Sequence, residues 1–397
     1  MRGMDMSYTG DRVVHDADSH VHELPGWLDN LLDPVIADRA QELLGRPPRE
    51  KIEHITQKLT SQQRDGELRS RDGEEFRFRK GVEAIGAFIS EDRPAALDLF
   101  GFKSQLVFTS SALRALTQVD MAEGEADLAY GFARAHNQWM VEFCSVDSRL
   151  LPVCYLPLTD IDRAAQFTAE TLASGASALM ISSVCPRNHS PSHVGLDRVW
   201  AQAEEAGIPI VFHVGGGTRM NDTYKVNGLP PVKDFIGGDG NFTSVSFMAI
   251  PYAPMQTMAT MILDGVLDRF PDLKFGIIEQ GASWVPGWMW SMDAAAEAFH
   301  KNEDRLRQLS LRPSEFVQRQ VRVTPYPHEP AGCIIEQTGP DVCLFSSDYP
   351  HFEGGRDPLK RFDASLEGRS PNEKQRFFSE NFVNMMGRAL DRATVAG

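Results

Sequence analysis

Cysteine is scarce in this sequence, and the few cysteines do not suggest a disulfide framework or a thiolate metal site. Five cysteines are scattered over 397 residues, and none of them forms a Cys-x-x-Cys pair. An odd number of separated thiols is typical of a protein whose cysteines stay reduced. The cysteine content therefore predicts a cytoplasmic protein.

Long hydrophobic runs and an excess of positive charge are also missing. No apolar stretch approaches the roughly 18–20 residues that cross a bilayer, and residues 1–11 contain no apolar signal-peptide core. The formal net charge is −15, which disfavours nucleic acids and anionic membranes as partners. We therefore expect a protein that acts on a small molecule. The sequence leaves open whether it is a monomer or a homodimer.

Short apolar runs alternate with helical patterns over most of the chain. An amphipathic helix is expected over residues 123–145, where large apolar side chains recur every three or four positions. Continuous apolar runs are typical of buried parallel strands, and eight of them lie near residues 13, 105, 151, 178, 208, 273, 321 and 342. This alternation predicts the α/β class. Eight units in a chain of this length favour a (β/α)8 TIM barrel, one domain over residues 1–397, rather than an open sheet.

Two long segments interrupt the alternation. Residues 24–93 contain several prolines and a charge-rich stretch, which predict an insertion of helices and loops after strand 1. This insertion would cover the C-terminal face of the barrel or form a subunit contact. Residues 214–244 form a long glycine-rich loop after strand 5, but they lack the Gly-x-Gly-x-x-Gly of a dinucleotide site. One helix, with its start kinked or divided by prolines, is expected over residues 245–270. Substrate specificity should lie in the two long segments.

The first predicted strand runs into a packet of carboxylates and imidazoles. If residues 13–18 form a strand, its side chains alternate between two faces, and Asp16, Asp18 and His20 point the same way. A carboxylate and an imidazole two residues apart on one face can bind one divalent metal ion. Taken alone, the same residues could be a polar loop after a strand.

Three further predicted strands also end in ionisable residues. His213 follows strand 5, Glu279 follows strand 6 and Asp348 follows strand 8. Taken singly, His213 could be a core histidine and Asp348 a turn residue. A carboxylate that closes an apolar strand, as Glu279 does, needs a partner, a metal or a shifted pKa. Because the C-terminal ends of all barrel strands face one mouth, these residues together predict a mononuclear metal site.

Five motifs in order give the chain a family resemblance. The first is the Asp-x-Asp-x-His-x-x-Glu of residues 16–23, and the last is the Ser-Asp-Tyr-Pro-His of residues 347–351. The other three lie within residues 137–150, 211–213 and 270–286. With these motifs the chain resembles the amidohydrolase superfamily, specifically the amidohydrolase-related branch that includes aminocarboxymuconate semialdehyde decarboxylase and related aromatic-acid decarboxylases.

The resemblance implies Asp18, His20, His213 and Asp348 as ligands of one divalent metal ion per chain. Imidazole and carboxylate ligands suit Zn²⁺ or Mn²⁺. Two positions depart from the usual pattern of the family. Asp18 stands where many members have the first histidine of a His-x-His pair, and Glu279 stands where many members have a catalytic histidine. Glu279 is therefore expected to be a fifth ligand or a general acid or base.

The expected catalytic residues are Asp348, Glu279 and His351. Asp348 or Glu279 would accept the proton of a metal-activated water and return it to the leaving group. His351 would orient Asp348 or contact a substrate carboxylate. Arg219 and Tyr252, in or beyond the strand 5 loop, are candidates for binding an anionic substrate.

Three functions fit these residues. The leading hypothesis is a metal-dependent hydrolase of a small carboxylated or aromatic compound. The alternative is a non-oxidative metal-dependent decarboxylase of an aromatic or enoic acid, which the Asp18–His20 pair favours and Glu279 disfavours, since a second carboxylate repels a substrate carboxylate. A non-catalytic binding barrel is the third, and it predicts a broken ligand set. His22 and Glu23, which follow the ligand pair, are expected at the surface or beside the ligands.

Overall fold

Seven parallel strands form the centre of the computed structural model, which describes residues 8–24, 26–44, 49–68, 78–215, 220–230 and 243–395. Each strand pairs with the next one in chain order, and every strand is almost wholly buried. The strands are β1 (His15–Val21), β2 (Ser104–Thr109), β3 (Leu150–Tyr155), β4 (Ala178–Met180), β5 (Ile210–His213), β6 (Phe275–Ile278) and β7 (Val321–Val323).

Helices connect successive strands and pack against the sheet, as expected for a parallel α/β fold. They are α1 (Pro34–Leu44), α2 (Arg49–Arg64), α3 (Arg93–Phe100), α4 (Ala112–Asp120), α5 (Ala126–Cys144), α6 (Ile161–Ala173), α7 (Asp197–Ala206), α8 (Ser244–Phe247), α9 (Tyr252–Leu263), α10 (Val266–Arg269), α11 (Val285–Phe299), α12 (Asp304–Gln308), α13 (Pro313–Gln320), α14 (Ala331–Thr338), α15 (Pro358–Ser365), α16 (Pro371–Gln375), α17 (Asn381–Met386) and α18 (Arg388–Val395). None of these described helices has the length and apolar character needed to cross a bilayer.

The eighth predicted strand is an extended segment, residues 342–349, that makes only isolated bridges. Cys343 bridges Val323 of β7, and Tyr349 bridges Ser19 of β1. Backbone hydrogen bonds join the same segment to both neighbours, since the N–H of Leu344 donates to Val323 at 2.9 Å and the N–H of Ala17 donates to Phe345 at 3.1 Å. The segment thus lies between β7 and β1 and gives the sheet its barrel-like closure.

Aromatic packing holds this segment in place. The Phe345 side chain is 1% exposed, and its ring centroid lies 5.5 Å from that of Phe378, 5.8 Å from that of Phe362 and 5.8 Å from that of Phe102. Each such aromatic pair contributes about 0.5–1.5 kcal/mol beyond the burial of its area. An irregular strand can therefore keep its place without a full set of ladder hydrogen bonds.

The predicted helix over residues 123–145 is confirmed as α5. The helix predicted over residues 245–270 is divided at its start near Pro251, as expected, but it is also divided near its end at Gly265, which was not predicted. Residues 244–269 form three helices, α8, α9 and α10, instead of one. Pro251 precedes α9, and Gly265, with φ of 77°, separates α9 from α10. A left-handed glycine ends a helix because no Cβ opposes that conformation.

Part of the predicted insertion lies against the C-terminal end of β1. Helices α1 and α2 fall within residues 24–93. The Tyr349 hydroxyl donates to the carbonyl of Ile85 at 2.6 Å, and the His22 N–H donates to that of Ala87 at 2.7 Å. Whether the whole insertion covers the barrel mouth or forms a subunit contact stays a prediction.

Candidate metal centre

Six ionisable side chains converge where β1, β5, β6 and the 342–349 segment end. Their potential ligand atoms form two overlapping groups, and within each group all of these atoms lie within 4.8 Å of one another. The first group is Asp18, His20, His213 and Glu279; the second is His20, Glu279, Asp348 and His351. Three of the four predicted ligands, Asp18, His20 and His213, share the first group. The fourth, Asp348, lies in the second group, and both groups contain His20 and Glu279.

The two imidazoles of the first group point their Nε2 atoms at carboxylates. Nε2 of His20 lies 3.2 Å from Oδ1 of Asp18 and 3.6 Å from Oδ1 of Asp348. Nε2 of His213 lies 3.4 Å from Oδ1 of Asp18 and 3.2 Å from Oε2 of Glu279. These separations between donor atoms are typical of ligands that share one metal ion, whose own bonds to N and O are about 2.0–2.2 Å long.

Backbone carbonyls fix the tautomers of both imidazoles. Nδ1 of His20 lies 3.0 Å from the carbonyl oxygen of Thr109, and Nδ1 of His213 lies 2.9 Å from that of Val214. Because a carbonyl oxygen only accepts, each Nδ1 must carry a hydrogen, and in the neutral ring the lone pair then lies on Nε2. Burial, with the nearby His351 and His213, also holds the pKa of His20 well below its ordinary value. Both rings are thus prepared to bind a metal through Nε2.

Several polar atoms of the cluster have no hydrogen-bond partner within the described part of the chain. They are Oδ2 of Asp18, Nε2 of His20 and Oδ2 of Asp348, and all three side chains are buried. Burying a polar group unpaired costs about 1–3 kcal/mol, and a buried charge costs more. A divalent cation would satisfy all of these atoms at once, and the mixed N and O donors suit Zn²⁺ or Mn²⁺. The residues present therefore fit the predicted metal.

Two residues with a left-handed backbone conformation carry carboxylates of the cluster. Glu279 has φ of 51° and Asp348 has φ of 50°, and among the described residues they alone combine positive φ with a side chain. Non-glycine residues in this region are strained and occur most often at functional sites. The N–H of Asp348 donates to the carbonyl of Asp18 at 2.9 Å, and the hydroxyl of Tyr326 donates to the carbonyl of Glu279 at 2.7 Å. These bonds hold both turns.

Electrostatics favour a protonated Glu279. Burial raises the pKa of Glu279 well above its ordinary value, and the neighbouring Asp348 and Asp18 raise it further. Burial alone would lower the pKa of His351, but the carboxylate of Asp348, whose Oδ1 lies 3.1 Å from His351 Nδ1, outweighs burial and raises it. The cluster thus contains a carboxylic acid that can donate a proton and an imidazole that contacts Asp348, as predicted for His351.

Asp16 belongs to neither group of metal donors. Its carboxylate accepts hydrogen bonds from the N–H and hydroxyl of Ser347, at 2.8 and 2.6 Å, and from Nε2 of Gln105 at 2.8 Å. Oε1 of Gln105 in turn accepts from Nε of Arg93 at 3.2 Å, and Nη1 of Arg93 donates to the carbonyl of His20 at 2.8 Å. Sequence analysis missed Gln105 and Arg93, because no local pattern marks a buried arginine that binds a carbonyl 73 positions away.

The two predicted substrate contacts are not part of the described cluster. Arg219 lies outside the described residues. Tyr252 begins α9 and is 67% exposed. A small cavity adjoins the cluster instead, and its lining includes Asp18, Glu279, Thr324, Tyr326, Ser346 and Asp348. Tyr326 is a cavity residue that sequence analysis did not single out.

Known proteins resemble this chain over almost its whole length. A family model described as amidohydrolase matches residues 17–381. No curated protein sequence matches the chain. An amidohydrolase from Mycobacterium avium subsp. paratuberculosis has a similar structure, with a TM-score of 0.70 and 20% sequence identity over 95% of this chain and 100% of that one.

Two similar structures are decarboxylases. A 5-carboxyvanillate decarboxylase from Novosphingobium aromaticivorans, solved with manganese, has a TM-score of 0.64 and 14% identity over 97% of this chain and 99% of that one. A 2,6-dihydroxybenzoate decarboxylase from Rhizobium has a TM-score of 0.59 and 16% identity over 94% of this chain and 98% of that one. At these identities the likeness shows the shared fold.

Proposed function

This chain belongs to the amidohydrolase family, and from that membership we propose that it is a metal-dependent carboxy-lyase that removes CO₂ from a small carboxylated aromatic or enoic acid. The observation that carries the proposal is Glu279, a largely buried carboxylic acid among the donors of the candidate metal centre. The decarboxylases of similar fold support the same reaction class.

We assign Asp18, His20, His213 and Asp348 as the residues that would hold one Zn²⁺ or Mn²⁺. Oδ2 of Asp348 is buried without a hydrogen-bond partner among the described residues, and Oδ1 contacts the imidazoles of His20 and His351, so this carboxylate needs a cation. The Glu279 side chain is 11% exposed, compared with 7% for Asp348, and it lines the cavity. A bound metal would supply positive charge that polarises a substrate oxygen or lowers the pKa of a water.

Glu279 would act as the general acid. When the bond between the substrate carbon and its carboxylate breaks, the electron pair stays on that carbon and CO₂ leaves. A protonated Glu279 gives its proton to the carbon, so that a C–H bond replaces the C–C bond. Burial raises the pKa of Glu279 in the metal-free protein, and in its protonated form this acid would not repel the incoming carboxylate.

The remaining predicted residues have supporting roles in this proposal. His351 contacts Asp348 through Nδ1, and we assign it to orienting that ligand. Arg219 and Tyr252 keep their predicted role as contacts of an anionic substrate. They belong to segments beyond β5, where loop residues set specificity in barrels of this type.

Hydrolysis is the second candidate, and Asp348 is the observation that favours it. Oδ1 of Asp348 lies 3.6 Å from Nε2 of His20 and the residue lines the cavity, so Asp348 could accept a proton from a water and return it to a leaving group. In the hydrolytic reaction the substrate would keep its carboxylate group, whereas decarboxylation removes it as CO₂. The two reactions therefore differ in the atoms that the product gains.

Isotope incorporation separates the candidates. The purified protein, loaded with Mn²⁺ or Zn²⁺, is incubated with carboxylated aromatic and enoic acids in D₂O and, separately, in H₂¹⁸O. A carboxy-lyase releases CO₂ and leaves deuterium on the carbon that carried the carboxylate. A hydrolase instead leaves ¹⁸O in an organic product without CO₂ release, which would overturn the lyase proposal. A protein that cannot be loaded with metal would overturn both.

A further inference from the structure

One carboxylate holds the turn that joins β2 to α4, residues 109–111. Oε1 of Glu23 accepts hydrogen bonds from the hydroxyl of Thr109 and from the N–H of Ser110, the latter at 3.0 Å. Oε2 of Glu23 accepts from the N–H and the hydroxyl of Ser111, at 3.0 and 2.9 Å. Four donors thus use the whole accepting capacity of one carboxylate, and all four belong to this turn.

The same turn contacts two imidazoles of the metal centre. The carbonyl of Thr109 lies 3.0 Å from Nδ1 of His20 and fixes its tautomer. The hydroxyl of Ser110 lies 2.7 Å from Nε2 of His351, whose other ring nitrogen contacts Asp348. The rings of His20 and His351 are stacked with centroids 3.9 Å apart. A shift of the turn would therefore rotate both rings together.

We propose that Glu23 is a positioning residue of the metal centre, which acts through the 109–111 turn on His20 and His351. The inference deepens the proposed function and rests on it, since it requires a metal at this site. Glu23 follows His20 by three residues on the same chain segment, and β1 pairs with β2 up to the register of Val21 with Thr109. Its carboxylate therefore ties together the ends of two adjacent strands. Hydrogen-bond partners of metal ligands typically contribute 10–100-fold in metal affinity.

The test is the Mn²⁺ affinity of the full chain carrying Glu23→Gln. The amide keeps the size of the side chain, but its NH₂ group replaces an oxygen that accepts from two donors. Metal-free protein is titrated with Mn²⁺, and the free ion is followed by electron paramagnetic resonance. We expect binding about 10–100-fold weaker than in the wild type, a changed visible spectrum of the Co²⁺-loaded protein, and little change in the thermal midpoint of the metal-free protein.

The matched control is Asp160→Asn. Asp160 caps α6 and accepts from the N–H groups of Asp162 and Arg163, both at 3.0 Å, but it is not among the donors of the metal centre. Unchanged Mn²⁺ binding in this control, with weakened binding in Glu23→Gln, supports the inference. Wild-type affinity in Glu23→Gln, or an equal loss in both variants, overturns it.

A milder variant covers the case in which Glu23→Gln does not fold. Ser111→Ala removes one of the four hydrogen bonds to Glu23 and no contact of either imidazole. A smaller loss of Mn²⁺ affinity supports the inference, and an unchanged affinity overturns it. The titration measures metal affinity and does not depend on CO₂ release. If the wild type binds Mn²⁺ but decarboxylates no substrate in the isotope experiment, the proposed function fails while the inference about Glu23 can still be tested.

Discussion

The buried His136 should make the stability of this protein sensitive to acid. Its side chain is 0% exposed in α5, burial lowers its pKa to about 4, and its Nε2 has no partner among the described residues. In the unfolded chain the pKa returns to about 6.5. Below that pH the histidine binds a proton in the unfolded state but stays neutral in the folded state. The stability that depends on a neutral His136 is therefore fully present above a pH of about 6.5, and it is lost as the pH falls towards about 4.

The size of the loss follows from the two pKa values. At a pH of about 5, the unfolded histidine is almost wholly protonated and the folded one almost wholly neutral, and the difference amounts to about 2 kcal/mol of unfolding free energy. Urea unfolding of the metal-free wild type and of His136→Gln, each at a pH of about 8 and about 5, measures it. Other titrating groups are common to both proteins and cancel in the comparison.

We expect the wild type to lose about 2 kcal/mol more than His136→Gln between the two pH values. An equal pH dependence of the two proteins would show that His136 is protonated in the folded state or accessible to water, and would refute the reasoning. A reduced stability of the variant at both pH values is a separate effect, because it reflects the lost hydrogen bond from Nδ1 to Asn137 at 2.9 Å.

Three further predictions concern the metal. Asp348→Asn should lose most of the bound metal, whereas Glu279→Gln should keep it and lose CO₂ release, as metal analysis and activity assays will show; metal loss in Glu279→Gln instead would make Glu279 a ligand. Gly354→Ala should weaken metal binding, because a Cβ there would lie 2.1 Å from the carbonyl oxygen of Ser347 and 2.9 Å from Cβ of Asp348, while Gly287→Ala, which meets nothing within 4 Å, should not. Equal metal affinities in the two alanine variants would contradict this. Removing the metal with a chelator should lower the thermal midpoint, since a free metal concentration of about 100 times Kd stabilises the folded state by about 2.7 kcal/mol.

Much of the fold could be predicted because its signals are local. Six of the seven regular strands coincide with a predicted apolar run, and α5 follows the apolar periodicity of residues 123–145. The exception is β1, which begins after the predicted apolar start and consists mostly of polar residues. The proline break at Pro251 was expected, but the second break at Gly265 was missed, since hydrophobic side chains continue through it. The irregularity of residues 342–349 was missed for a related reason, because its apolar residues would suit a regular strand equally well.

The donors near the ends of the strands could be predicted from the order of residues along the chain. Asp18, His20 and His213 could be placed there because a barrel brings all C-terminal strand ends to one mouth. The tertiary structure alone decided how the carboxylates divide between the two donor groups. That division depends on the left-handed backbone of Glu279 and Asp348, which few non-glycine residues adopt, so long-range contacts must hold it.

Tertiary structure also decided what lies behind the donors. Glu23 and Asp16 are both carboxylates within a few residues of His20, and the sequence does not distinguish them from ligands or surface residues. In the fold, Asp16 binds Ser347, which is 331 positions away, and Glu23 binds a turn 86 to 88 positions away. Hydrogen bonds between such distant residues form only when the strands have assembled, because local periodicity carries no information about which strand becomes a neighbour.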